Sequence, residues 1–109
     1  MSAERIRDLL ELLADEPDDA LLRFTLGTEY LEDGEAALAV PELERAVAAD
    51  PRYTVAHRYL GAALERAGRD AEAAAAWERG LQVAAETGDL QAGNEMRVFL
   101  ERLRARGRR

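Results

Sequence analysis

His57 is the only histidine in this sequence, and histidine is the residue type suited to acid–base work near neutrality. It has no obvious chemical companion. The chain contains no cysteine and no lysine, and its single serine is Ser2. A nucleophile–base pair of the Ser–His or Cys–His kind is therefore not built here. The lack of cysteine also removes disulfides, zinc–thiolate sites and redox-sensing thiols. All 15 basic residues are arginine, which excludes Schiff-base chemistry and a phosphate-loop lysine. Carboxylates are plentiful, but Asp15-Glu16 with Asp18-Asp19 lacks the alternating oxygen spacing of an EF-hand loop. Acids in that position complement the positive end of a following helix instead. No enzyme, metal site or cofactor is expected.

The second feature that could act on a partner is the run Arg102, Arg104, Arg106, Arg108 and Arg109. Its plain reading is a solvated helix end, favoured by the helix dipole and fraying beyond it. Its sharper reading is a contact for RNA or for the acidic body of another copy. Charge weighs against nucleic acid. The chain of 109 residues carries a formal −7, distributed as −9 over 1–53, −3 over 54–101 and +5 over 102–109. The body repels phosphate, and no base-reading surface accompanies the tail. GC-rich codon bias is the plain account of the missing lysine, and the acidic excess admits a second, adaptation to high salt. The opening Met1-Ser2-Ala3-Glu4-Arg5 leads straight into an amphipathic segment without a signal-like apolar run. Nor does any window reach the roughly 20 apolar residues needed to span a bilayer. A cytoplasmic protein of one domain, with no membrane partner, is the expectation.

Stepping along the chain, proline and glycine divide it into short helices, and no strand-like alternation appears. Ile6, Leu9, Leu10 and Leu13 form one apolar helical face that stops at Pro17. Asp18 and Asp19 supply capping oxygens for a helix carrying Leu22, Leu26, Tyr30 and Leu31, which ends at Asp33-Gly34. A third helix holds Ala39, Val40, Leu43, Ala46 and Val47 and ends at Asp50-Pro51. Pro41 must lie near its first turn or kink it. Further helices are expected over about Tyr53–Ala67, about Asp70–Ala85, and from about Asp89 into the arginine tail. The fold class is all-α.

A shift of 34 residues superposes the chain on itself. Leu26 falls on Leu60, Gly27 on Gly61, Gly34 on Gly68, and Glu44-Arg45 on Glu78-Arg79. Leu43 falls on Trp77 and Ala46 on Gly80, large opposite large and small opposite small; one period earlier, Pro17 falls on Pro51. A 34-residue unit of two helices with this pattern resembles the tetratricopeptide repeat (TPR) family. Numbered from Ala20, the family's small residue at position eight is Gly27 and its aromatic at eleven is Tyr30. Its small residue at twenty is Ala39, its large one at twenty-four is Leu43, and its proline at thirty-two is Pro51. Numbered from Thr54, the second unit has Gly61, Leu64, Ala73, Trp77 and Gly80, but no proline. The tryptophan often found at position four is replaced by Arg23 and His57, which gives His57 a packing role. Trp77 likewise falls at a packing position.

The resemblance implies an α-α superhelix: an N-terminal half-repeat over 1–17, repeats over 20–53 and 54–87, and a capping helix with its tail over 88–109. Within the last helix, Ala92, Met96, Phe99 and Leu103 form a stripe one residue later than a strict period, which implies a slightly longer preceding helix. The ending Gly88-Asp89-Leu90 through Met96-Arg97-Val98-Phe99-Leu100 is similar to that of small stand-alone bacterial TPR proteins.

In this family the first helix of each repeat lines a concave groove. The carried-over positions are Leu21, Phe24, Thr28, Leu31 and Glu32, then Val55, Arg58, Ala62, Glu65 and Arg66. The protein-binding set expected from them is Leu21, Phe24, Thr28, Leu31, Val55, Arg58, Ala62 and Arg66. Such a groove suits a peptide or helix with an apolar anchor and a carboxylate for Arg58 or Arg66. The competing arrangement has Leu21, Phe24 and Leu31 covered by a terminal helix, which would close the groove. The family's lysine-based carboxylate clamp is absent, since Phe24, Thr28 and Tyr59 stand at its places. Expected is a non-catalytic protein-interaction module, with a self-associating homodimer as the alternative and RNA contact through the tail as a remote one.

Overall fold

Helix breaks follow the sequence punctuation closely. The computed structural model describes residues 2–108 and contains α1 (Ser2–Asp15), α2 (Ala20–Glu32), α3 (Ala36–Ala49), α4 (Thr54–Arg66), α5 (Asp70–Thr87) and α6 (Leu90–Gly107). No strand occurs among the described residues. Met1 and Arg109, the latter part of the arginine run, lie outside them.

Local chemistry explains the ends. Asp19 caps α2 by accepting the Leu22 N–H at 2.9 Å, and Asp89 caps α6 by accepting the Ala92 N–H at 3.1 Å. Gly34 and Gly68, one period apart, adopt φ of 79° and 78°. That left-handed conformation turns the chain and lets the N–H of Glu35 reach the Tyr30 carbonyl, and that of Arg69 the Leu64 carbonyl, each at 2.9 Å. Pro41 sits inside α3, beyond its first turn. It leaves the Ala37 carbonyl without its helical donor, but Ala37 is exposed, so water can take its place.

Each helix packs on the next in sequence. Beyond those neighbours, α2 touches α4 and α4 touches α6, whereas α1, α3 and α5 do not touch one another. A stack whose even helices converge while its odd helices splay is curved, with α2, α4 and α6 on the inner side.

Close approach depends on small residues opposite large ones. A Cβ on Gly27 would lie 2.6 Å from Leu43 Cγ, and one on Gly61 would overlap the Trp77 indole. Leu26, Leu43, Val40, His57, Trp77 and Met96 are the largest fully buried side chains. The main core runs from Leu31 to Leu103, and a smaller cluster joins Leu9 and Leu13 of α1 to Leu26, with Ile6, Leu22 and Tyr30 beside it.

Two details depart from the sequence reading. First, α5 is longer than α3, 18 residues against 14, as the late stripe implies, but α6 begins 36 residues after α4 rather than 35. The buried stripe is thus Ala92, Met96, Leu100 and Leu103, with Phe99 only half-buried, and the register is displaced by two residues rather than one. An added turn of α5 must be followed before the chain can reverse, so the next helix starts late. Second, the arginine run does not fray at its start. It continues α6 as far as Gly107, and Arg104 pairs with Glu78 at 2.8 Å. Arg106 pairs with Glu65 and Asp70, each at 3.1 Å. These guanidinium groups fasten the last helix to its own body.

Candidate functional site

The inner face is built from the exposed sides of α2, α4 and α6. At its N-terminal end, Phe24 is half-buried between Tyr53 and Tyr59, with ring centroids 5.0 and 5.3 Å away. The Tyr59 contact is edge-on, the geometry favoured by the ring quadrupoles. Burial, and secondarily the charge of Asp50, pushes the Tyr53 phenol above its usual pKa. Leu21 lies one turn away and is 61% exposed, a large apolar side chain facing water.

In the middle, the Arg58 guanidinium stacks over the Tyr59 ring, 4.5 Å from its centroid. It also reaches across to Glu95 of α6, at 3.8 Å. Its Nε is shielded from solvent and makes no hydrogen bond within the chain. The Arg58 backbone carbonyl accepts the Trp77 indole N–H at 3.1 Å, so the inner face is tied directly to the core. Val55 and Arg58 line a shallow hollow with Gln91, Ala92 and Glu95. Further along, Ala62 and Arg66 line a second one with Glu65, Trp77, Phe99 and Arg102.

Of the eight expected residues, Leu21 and Arg66 are exposed, while Phe24, Thr28, Val55, Arg58 and Ala62 are half-buried. Leu31 is different. It is 5% exposed and belongs to the main core, where it offers a partner almost no surface. Neither terminal helix covers the others. α1 packs on α2 through Ile6, Leu9 and Leu13 against Leu22, Leu26 and Tyr30, and α6 does not touch α2. The groove is open.

The sequence reading missed the contribution of α6. Gln91, Glu95, Phe99 and Arg102 line the same hollows as the α4 residues. Carrying Val55 and Arg66 forward by 36 residues gives Gln91 and Arg102, so the correct register would have found those two.

His57 is not placed for catalysis. It is 1% exposed, and its Nε2–H is donated to the Pro51 carbonyl at 2.9 Å. Among the described residues, no group of three or more His, Asp or Glu side chains could hold a metal ion. No described helix is long and apolar enough to cross a membrane.

Two-helix units repeated along a curved stack, with small residues of one helix receiving large residues of the next, define a helical repeat protein of the TPR type. Comparison with known proteins agrees. The profile of the bacterial transcriptional activator domain family matches residues 4–104. A TPR repeat-containing protein of Pseudomonas aeruginosa is 49% identical over 98 residues, covering 90% of this chain and 93% of that protein. The solution structure of a Bordetella parapertussis protein is similar at 42% identity and a TM-score of 0.80, over 93% of this chain and 88% of that one. The crystal structure of a tetratricopeptide repeat domain protein from Salinibacter ruber follows at 28% identity and a TM-score of 0.74, over 80% and 97%. The chain belongs to the bacterial transcriptional activator domain family, a TPR-type helical domain. Domains of this type are generally protein-interaction modules.

Proposed function

We propose that this protein is a non-catalytic interaction module that binds a peptide or helix of a partner protein along the inner face of α2, α4 and α6. The observation that carries this reading is the open groove, in which exposed Leu21 and half-buried Phe24 stand at one end and Val55 lines a hollow with Arg58. An apolar anchor next to a fixed cation suits a segment that presents one apolar and one acidic side chain. The family's name connects its members with transcriptional activation. In that setting this chain serves as a protein contact rather than a reader of DNA, because its formal charge is −7 and two of its tail arginines, Arg104 and Arg106, are engaged internally. The partner is another protein, met without a cofactor.

Titration of the isotopically labelled chain with candidate partner segments tests this reading through amide shifts. Shifts should cluster on Leu21, Phe24, Thr28, Val55, Arg58, Ala62 and Arg66. Shifts confined to α1, α3 and α5 would sink the proposal.

A further inference from the structure

At the C-terminal end of the groove, α4 and α6 enclose a hollow floored by Ala62, Trp77 and Phe99, with Arg66 and Arg102 at its rim. The Trp77 and Phe99 centroids lie 5.5 Å apart, and the Arg102 guanidinium sits 5.4 Å from the Phe99 centroid. Arg66 and Arg102 are both exposed. Neither forms an ion pair or a side-chain hydrogen bond with any described residue, whereas Arg58, Arg104 and Arg106 are all paired. The one carboxylate at this rim, Glu65, is already held by Arg106 at 3.1 Å. The two arginines are 36 residues apart, the separation that relates the start of α4 to the start of α6. They therefore occupy equivalent positions on adjacent inner helices. Two uncompensated cations over an apolar floor stand out in a chain whose formal charge is −7.

We infer that this hollow reads an acidic residue next to a large apolar one in the partner segment. The carboxylate of the Asp or Glu is held between Arg66 and Arg102, and the neighbouring aromatic or aliphatic side chain lies against Phe99. Guanidinium groups bind carboxylates with two parallel hydrogen bonds, which supplies direction as well as charge. A protein segment fits better than nucleic acid, because a phosphate chain running along the groove would also meet Glu95 and the acidic body. The inference rests on the inner face being the binding face.

The test uses the full chain and a synthetic peptide containing Glu-Phe-Leu-Glu. Controls are its Gln-Phe-Leu-Gln and Glu-Ala-Ala-Glu counterparts and a mixed-sequence single-stranded oligonucleotide. Binding is followed by amide shifts and by emission of Trp77. The first peptide should shift Ala62, Arg66, Phe99 and Arg102, and each control peptide should bind roughly tenfold more weakly. In the double variant R66Q/R102Q, the preference for Glu over Gln should vanish while the thermal melt falls by only a few degrees, since neither arginine makes an ion pair or side-chain hydrogen bond with a described residue. Equal binding of the Glu and Gln peptides overturns the inference. So does binding indifferent to the two arginines, absence of binding by all three peptides, or tighter arginine-dependent binding of the oligonucleotide. Shifts restricted to the Leu21–Val55 end defeat this inference and leave the groove reading standing. Shifts confined to α1, α3 and α5 defeat both.

Discussion

His57 donates its Nε2–H to the carbonyl oxygen of Pro51 at 2.9 Å, and one 34-residue period earlier Arg23 donates its Nε–H to the carbonyl of Pro17 at 2.8 Å. The two side chains differ in shape and charge, yet each ties the turn before its helix to that helix. Both stand where TPR repeats often carry tryptophan. A polar side chain there gives the proline carbonyl a partner in a turn that has no helical donor to offer it. Replacing His57 by Phe keeps the bulk and removes the donor. We expect a loss of about 1–3 kcal/mol in urea unfolding. A change indistinguishable from zero would show that the Pro51 carbonyl needs no side-chain donor.

The glycine knobs and holes should not be equally sensitive. Gly61 faces the rigid Trp77 indole, which is held by its hydrogen bond to the Arg58 carbonyl. Gly27 faces Leu43, which is fully buried but is smaller than an indole and held by no hydrogen bond. An Ala at either site gains about 1 kcal/mol of helix propensity. Gly61→Ala should nonetheless destabilise by about 2 kcal/mol or more, with altered Trp77 emission, while Gly27→Ala should cost less, about 1 kcal/mol. Equal losses at the two sites would contradict the distinction.

Arg23 and Glu42 pair at 2.7 Å, with each side chain only 13% exposed. Removing Arg23 leaves the shielded Glu42 carboxylate with only the exposed Arg45, at 3.7 Å, as a partner. Arg23→Ala should cost about 2–4 kcal/mol, and the joint change Arg23→Met with Glu42→Leu should cost less, the remainder being the Arg23 bond to the Pro17 carbonyl that both variants lose. Comparing the single and double variants by denaturant unfolding decides it.

Alkaline pH should weaken the fold through Tyr53. Its folded-state pKa is raised, by burial first and by the Asp50 charge second, from the ordinary value of 10.0. The native state therefore holds a proton that the unfolded chain releases. This contribution is fully present below that value and is lost as pH rises through it toward the folded-state pKa. Tyr53→Phe should flatten the alkaline fall in melting temperature, and an unchanged profile would assign that fall elsewhere.

Much of this architecture can be read in the linear sequence because its determinants are local. Pro17, Pro51, Asp19, Gly34 and Gly68 act on their own backbone or on neighbours a few residues away, so helix ends were placed within a residue or two. The 34-residue pairing of Gly27 with Gly61 and of Leu43 with Trp77 is likewise local to each helix pair, and it implied the repeat. The inner-face set was only partly legible. Position within a repeat says which way a residue points, but not what lies above it, and so Leu31 was expected in the groove.

The tertiary structure decided whatever depends on several helices at once. One extra turn in α5 moved α6 by two residues, which put Leu100 in the core and left Phe99 at the groove. Arg104 and Arg106 of the arginine run pair within the chain because Glu65, Asp70 and Glu78 lie within reach of α6 once it docks. Whether the groove was open or filled depended on which side of α2 received α1. The sequence by itself determined the helices and their period, since short-range sterics and hydrogen bonding suffice for those. Packing determined which side chains remain available to a partner, because availability belongs to neighbours that are distant in the chain.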